Sequence, residues 1–295
     1  MSLKETVKRS LRLIPDPVYL RMMYFIKIGR PLRLRHPKSF NEKLQWLKLH
    51  NRKPEYTTMV DKHEAKAYVA ERIGDSLIIP TLGVWDSFDE IDFDALPDAF
   101  VLKCTHDSGG LVICRDKNTL DKAAAREKIS SCLAKNYYWD YREWPYKGVN
   151  PRIIAETYLP GDGGELPDFK FMCFNGKVKS IMVCSQRGTE DGLHVTNYDP
   201  QWNVQPFERG YPIAENPVQK PQRLEEMIRL AEQLAEGIPY LRVDFYETQG
   251  KIYFGELTFF PGSGYSRFRP REWDEILGSW IRLPEKKASG ERAKV

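Results

Sequence analysis

Residues 168–184, DFKFMCFNGKVKSIMVC, constrain the fold more than any other stretch. Two runs of alternating residues meet at Asn175-Gly176, a pair that readily supplies the positive φ values of a tight hairpin turn. Strands joined this closely pair antiparallel, because a parallel return needs a long crossover. LRVDFYETQGKIYFGELTFF, residues 241–260, repeats the pattern, with Thr248-Gln249-Gly250 read as a three-residue turn. Helical patterns surround these hairpins: SFNEKLQWLKLH with Ser39 as a cap, VDKHEAKAYVAERIG ended by Gly74, a run from Ala123 to Lys135, and RLEEMIRLAEQLAEGI. Helices and strands mix without regular βαβ alternation, so the expected class is α+β. Residues 186–222 read as a polar loop or insertion, and the tail after Pro284 as disordered.

With 295 residues, 41% of them hydrophobic, the chain can bury a large core. No apolar run approaches the roughly 20 residues of a membrane span, and the start lacks a secretion signal, so a cytoplasmic location is expected. The five cysteines form no CxxC pair and sit mostly in strand-like runs, as buried thiols do. Net charge is +4, yet residues 1–55 alone hold 14 Lys/Arg against 4 Asp/Glu. Such a basic, aromatic-rich start suits an anionic polymer, nucleic acid or the anionic inner face of a membrane, and equally a solvated helical cap.

The chemistry-bearing residues recur at strand ends. In the last hairpin the three-residue turn places Arg242 opposite Glu256, with Asp244 one diagonal step away and Thr258 on the same face. Val243, Phe245, Tyr253 and Leu257 then point to the apolar side. An Asp and a Glu on one surface can bracket a hard cation such as magnesium, and the same residues could be a plain Arg242–Glu256 ion pair with Asp244 solvated. Lys103 projects from the strand FVLKC just before the turn Thr105-His106-Asp107-Ser108-Gly109-Gly110, whose backbone N–H groups and φ-tolerant glycines suit a flap over phosphates. An ordinary hairpin with a half-exposed lysine has the same pattern. The strand ending Glu156-Thr157-Tyr158-Leu159 could offer backbone groups to an adenine edge, with Asp162 and Glu165 near ribose hydroxyls, or could simply end in solvated acids. Asp168 and Lys170 share a face, either as a surface pair or lining a nucleotide cleft. Lys62 opens a helix that Asp61 can cap.

The order of these segments resembles the ATP-grasp superfamily over roughly Val60 to Arg267. VDKHEAKAYV, VLKCTHDSGG, AETYLPG and LRVDFYETQGKIYFGELTFFPGSG are similar to segments of carboxylate–amine ligases such as D-alanine–D-alanine ligase. PTLGVWDSFDEIDFDALPDAFVLKCTHDSGG with DFKFMCFNGKV more closely resembles the TupA-like branch, named for teichuronopeptide synthesis. The resemblance implies two α+β lobes clamping Mg-ATP: residues 57–155 with the flap, and residues 156–285, preceded by a basic helical extension over 1–56. It implies that Lys62 and Lys103 hold phosphates, that Glu156 and the Tyr158–Leu159 backbone hold adenine, and that Asp244 and Glu256 ligate Mg²⁺. Arg242, with N–H groups near Gly262, would stabilise transition-state charge. The family's Glu-x-Asn is Glu256-Leu257-Thr258 here, so Thr258 stands where a third metal ligand is expected. The implied activity is amide formation through an acyl phosphate, joining an amino acid to a uronic or amino-acid carboxylate of a surface polysaccharide precursor. A glycan kinase, a glycosyltransferase-like protein and a non-catalytic polysaccharide-binding protein are the alternatives.

Overall fold

The structure is a computed structural model that describes residues 10–107, 109–161, 166–185, 192–216 and 218–285. The chain opens with helices α1 (Asp16–Ile28), α2 (Phe40–His50), α3 (Glu55–Val60) and α4 (Glu64–Ile73). Strands β1 (Thr81–Trp85), β2 (Phe100–Cys104) and β3 (Leu111–Cys114) follow, then α5 (Lys122–Leu133), α6 (Tyr138–Tyr141) and β4 (Ile153–Thr157). The second half comprises β5 (Asp168–Phe174), β6 (Lys177–Ser185), β7 (His194–Tyr198), β8 (Val204–Gln205), β9 (Glu208–Arg209), α7 (Leu224–Leu234), β10 (Tyr240–Thr248), β11 (Lys251–Thr258), β12 (Phe268–Arg269) and α8 (Glu272–Trp280).

The strands form a four-stranded sheet in the order β1-β4-β2-β3, a six-stranded sheet in the order β11-β10-β5-β6-β7-β8, and a small β12-β9 pair. Every pair is antiparallel, so the class is α+β, as the two hairpins required. Asn175-Gly176 does join β5 to β6, with φ values of 49° and 80°. Within the stretch expected to be loop, β7 pairs with β6 from Ser185↔His194 to Ile181↔Tyr198, which corrects that reading. Its residues, His-Val-Thr-Asn-Tyr, alternate too little to announce a strand, and the backbone groups of β6 recruit it.

Two apolar cores result. The smaller lies under the four-stranded sheet and gathers Phe88, Leu96, Phe100, Leu102 and Ile129. The larger packs α7 through Leu224, Met227, Ala231 and Leu234 against the six-stranded sheet, and draws in Leu20, Tyr24, Phe40, Leu44 and Trp46 from the N-terminal helices. Phe40 meets Tyr240 edge to face with ring centroids 5.0 Å apart. All five cysteines are free and buried.

Helix α2 begins with a capping box: Ser39 Oγ accepts from Glu42 N at 3.3 Å, and Glu42 Oε2 accepts from Ser39 N at 3.2 Å. Ser39→Ala is expected to cost about 1 kcal/mol in urea unfolding. Among the described residues no helix is long and apolar enough to cross a membrane.

Candidate active site

The last hairpin builds a charged face by a route different from the expected one. Its turn is two residues, Gln249-Gly250, both with positive φ (52° and 69°), so Thr248 faces Lys251 and Tyr246 faces Tyr253. A bulge at Gly255 then shifts the register, and Asp244 lies directly opposite Glu256 while Arg242 lies opposite Thr258. The three-residue turn and the Arg242–Glu256 pairing are thereby corrected. The bulge supplies the extra residue that the turn lacks, so all four side chains still share one face. Tyr253 belongs to that face as well, and Ile252 and Phe254 fill the apolar side in its place. A Cβ on Gly255 would sit 3.1 Å from both the Asp244 carbonyl oxygen and the Tyr246 ring, so the close approach at the bulge selects glycine.

Strand β5 completes the group, since Lys170 pairs with Asp244 and Asp168 with Tyr246. Lys170 Nζ lies 2.5 Å from both Asp168 Oδ2 and Asp244 Oδ2, which makes the Asp168–Lys170 pair a buried extension of the hairpin's charges. Arg242 clamps Asp244 with two bonds, Nε to Oδ1 and Nη2 to Oδ2, each 2.7 Å, and its Nη2 also donates to Glu256 Oε1. Thr258 Oγ1 donates to the same Glu256 oxygen at 3.2 Å. Burial would raise the Glu256 carboxyl, but Arg242, Lys170 and Lys62 outweigh it and hold the group down to about 2. Asp244 goes the other way, up to about 6, because full burial and the neighbouring Glu256 and Asp168 charges exceed the pull of Arg242 and Lys170. The Glu256 side chain is 36% exposed against 1% for Asp244, so it is the more accessible of the two carboxylates.

A second group sits on the four-stranded sheet. Glu156 forms ion pairs with Lys66 through Oε1 and with Lys103 through Oε2, both at 2.5 Å; burial would raise its carboxyl, but these two cations outweigh it and pull the group below the ordinary carboxylate range. Lys66 was not foreseen. It lies two helical positions into α4, and only the fold brings it to Glu156; its Nζ also donates to the Ile79 carbonyl at 2.7 Å. Lys62 donates to the Cys104 and Asp107 carbonyls at the end of β2, and its charge reaches Glu256, so it links the two groups. The N-cap position of α4 is His63 rather than Asp61, and Asp61 Oδ1 instead braces the turn before it, accepting from His63 N at 2.8 Å and Glu64 N at 3.2 Å.

The flap turn is shaped by packing as well as by its polar groups. Neither Gly109 nor Gly110 has a positive φ, which corrects the reason given for them. A Cβ on Gly110 would lie 2.8 Å from Cys104 Cβ, and its N–H donates to the Asp107 carboxylate at 3.0 Å. Tyr158 and Leu159 are half-buried beyond β4, and Thr248 Oγ1 holds the Pro160 carbonyl at 2.6 Å, joining this segment to the six-stranded sheet. Ser108, Asp162, Glu165 and residues 286–295 lie outside the described residues.

Three consecutive residues after β11, Gly262, Ser263 and Gly264, have φ of 58°, 53° and 66°. Ser263 pays a steric penalty there, and α2 holds it in place. Gln45 Nε2 donates to the Ser263 and Gly264 carbonyls at 2.9 Å, the fully buried Lys48 Nζ donates to Ser263 O at 2.9 Å, and Ser263 Oγ meets Glu143 at 2.5 Å. Burial lowers Lys48 to about 8 despite Glu143. Because its folded value lies below its unfolded one, stability rises with pH between about 8 and 10.5. Wild type is therefore expected to gain on Lys48→Met across that window in urea titrations. Arg209, from the stretch read as a polar loop, is a buried support that donates to the Pro261 carbonyl at 2.7 Å.

Among the described residues no group of three or more His, Cys, Asp or Glu side chains is placed to hold a metal by itself. Asp244 and Glu256 nevertheless offer paired oxygen donors on adjoining strands, the set that magnesium uses when phosphate oxygens and water complete its shell.

No curated protein matches this sequence. Among solved structures, D-alanine–D-alanine ligase from Bacillus anthracis complexed with ATP aligns at 17% identity and a TM-score of 0.41, covering 68% of this chain and 55% of that one. The RimK domain protein ATP-grasp from Sphaerobacter thermophilus aligns at 13% and 0.43, covering 79% and 70%. D-Alanine-D-alanine ligase from Helicobacter pylori aligns at 12% and 0.42, covering 82% and 67%. This chain thus spans little more than half the length of the first of these. Residues 42–282, most of the sequence, match the family described as TupA-like ATPgrasp, and the chain belongs to that family.

Proposed function

We propose that the protein is an ATP-dependent carboxylate–amine ligase acting through an acyl phosphate. The observation that supports it best is the division of charge across the site. Asp168, Asp244 and Glu256 outnumber Lys170 and Arg242 on one sheet, while Lys62, Lys66 and Lys103 outnumber Glu156 beside the other. An oxygen-rich negative patch suits a hard cation, and a lysine-rich one suits phosphates.

In this reading the substrate carboxylate takes the γ-phosphoryl group of Mg-ATP with release of ADP, and an amine then attacks the acyl carbon, expelling phosphate and losing a proton to give the amide. Lys62 and Lys103 hold phosphate oxygens with the flap backbone at Ser108 and Gly109. Glu156 keeps Lys66 as its partner when Lys103 turns toward phosphate. The Tyr158–Leu159 backbone is assigned to adenine, Asp162 and Glu165 are assigned to the ribose hydroxyls, and Asp168 orients Lys170. Asp244 and Glu256 hold the metal; Thr258 fixes the Glu256 rotamer by donating to its Oε1 and stands next to it as a third oxygen. Arg242, oriented by both carboxylates, neutralises charge growing on the transferring oxygens, with the N–H groups around Gly262. The two clamping lobes are drawn about the two larger sheets, with the boundary after Thr157 so that β4 stays whole in the four-stranded one. The carboxylate belongs to a uronic or amino acid of a surface polysaccharide precursor, the amine to an amino acid, and the work is done in the cytoplasm at the inner membrane face.

A glycosyltransferase reading finds less support: Asp92-Phe93-Asp94 has the Asp-x-Asp form, but Asp92 Oδ1 caps its own turn by accepting from Asp94 N at 3.0 Å. The test is calorimetric titration with a non-hydrolysable ATP analogue, with and without Mg²⁺. Magnesium-dependent binding is expected, weakened at least about tenfold in Lys103→Ala and Glu256→Gln, the size of one lost charge-assisted contact. Folded wild-type protein that binds no nucleotide would exclude both a ligase and a kinase. ADP release without an amine, giving a stable phosphorylated product, would leave the kinase.

A further inference from the structure

The four most exposed large apolar side chains among the described residues are Leu13 (86%), Ile26 (61%), Phe25 (58%) and Val18 (54%). Three of them lie on α1, and positions 18, 22, 25 and 26 follow the spacing of a single helical stripe, with Met22 half-buried among them. The opposite side of α1 is buried through Tyr19, Leu20 and Tyr24, and Tyr19 Oη donates to the Asp140 carbonyl at 2.8 Å. The helix is therefore fastened to the body by one apolar face and presents a second to solvent. A helix that is apolar on both sides calls for a cover on the outer one.

Charge identifies that cover. Residues 10–38 contain seven Lys and Arg and one acid, Asp16. That acid is already engaged, by Arg52 at 2.8 Å and by the Tyr138 hydroxyl at 2.7 Å. Arg21, Lys27, Arg35 and Lys38 have no carboxylate partner among the described residues. Beside α1 a recess of about 570 Å³ is lined by Arg21 and Arg35, by the Arg52–Asp16 ion pair, by His50, and by an apolar floor of Pro17, Leu34 and Leu49. It thus joins unpaired guanidinium groups to an apolar floor, large enough for a phosphate headgroup. A protein partner matched to this surface would need a mixed apolar and acidic face; an anionic bilayer offers both by construction.

We infer that α1 and the Arg21–Arg35 recess form a docking surface for an anionic phospholipid bilayer. The 13-residue helix is too short to span one. It lies in the interface plane, with Val18, Phe25 and Ile26 among the upper acyl carbons and the arginines at the phosphates. The surface is independent of the nucleotide reading, since none of these residues belongs to the charged groups around Arg242 and Glu156.

Co-sedimentation of the full chain with vesicles tests it, using phosphatidylcholine containing phosphatidylglycerol at about a third of the lipid, and phosphatidylcholine alone, a fraction at which surface potential is substantial. Wild type is expected to sediment with the anionic vesicles only. Phe25→Glu with Ile26→Glu should lower the partition coefficient at least tenfold, and Arg21→Glu with Arg35→Glu by a similar factor. Both variants should keep the wild-type melting temperature and nucleotide-analogue affinity. Absence of wild-type binding overturns the inference. So does loss in the arginine variant with none in the Phe25/Ile26 variant, which marks a site for soluble polyanions. A wild-type dimer that the Phe25/Ile26 variant converts to monomer, with neither protein binding vesicles, also overturns it and assigns the stripe to a second copy.

Discussion

Arg242→Ala is expected to abolish turnover and to cost about 3–5 kcal/mol of stability, because it leaves the buried Asp244 without its main counterion and the half-exposed Glu256 without its own. Arg242 supplies two bonds to Asp244 and one to Glu256, and after its loss Lys170 and Thr258 are the groups described here that still contact these two acids. The sign with pH is fixed by the same geometry. In wild type Glu256 is held down to about 2, so its contribution is present above its ordinary value near 4.5 and is lost as pH falls toward 2. In the variant both acids are stabilised by taking up protons, so the gap between the two proteins should narrow from pH 7 to pH 4. Arg242→Lys keeps the charge but loses the planar fork, and should recover part of the stability with little activity. Urea unfolding at the two pH values, with ADP release measured in parallel, checks both statements. A variant within about 1 kcal/mol of wild type at pH 7 would show that the clamp is not holding charged acids.

The second large effect is expected at Gly278, in α8 where it crosses the start of α2. A Cβ there would sit 2.6 Å from Phe40 N and from the Ser39 carbonyl carbon, and closer still to the Lys38 carbonyl oxygen. All three are backbone atoms in a buried segment, so no side chain can rotate away. Gly278→Ala should therefore lose about 3 kcal/mol, the upper end of overpacking costs. A rigid shift of α8 would also loosen the bond from Asp274 Oδ1 to Asn41 N, now 3.0 Å. Gly29→Ala is the natural comparison, since nothing lies within 4 Å of its added carbon and only the φ of 80° resists. Equal losses in the two variants would contradict this account.

Where the sequence could be read, it was through local rules. Asn175-Gly176 sets a hairpin by its own dihedral preferences, and Ser39 with Glu42 closes a capping box within four residues. The face shared by Arg242, Asp244 and Glu256 was anticipated for an incomplete reason. A shorter turn and a bulge each move the register by one residue in the same direction, so the face is kept while the partners change, and only the crowding of Gly255 against Asp244 and Tyr246 reveals the second. Lys66 could not be found, because a lysine on a helix looks solvated until β4 brings a buried glutamate against it. The same holds for Gln45 and Lys48, polar residues on α2: the partners of Gln45 lie more than 200 positions away, and those of Lys48 lie 93 and 215 away. A buried lysine within a helix carries no sequence mark of its own, and neither does a strand such as β7 that forms because an edge is waiting.

That last tie bears on how the chain is made. Lys48 and Ser263 are 215 residues apart, and Gln45 and Gly264 are 219 apart. During synthesis α2 emerges early; Lys48 can reach the Tyr141 carbonyl about halfway through, but Gln45 must wait for nearly the whole chain before its side chain finds acceptors. Closing so long a loop is slow, and partly made chains expose the waiting surface. The left-handed turn at residues 262–264 is thus a final latch. A ribosome-bound chain stopped short of it should remain protease-sensitive around residues 39–50, and one released beyond it should not.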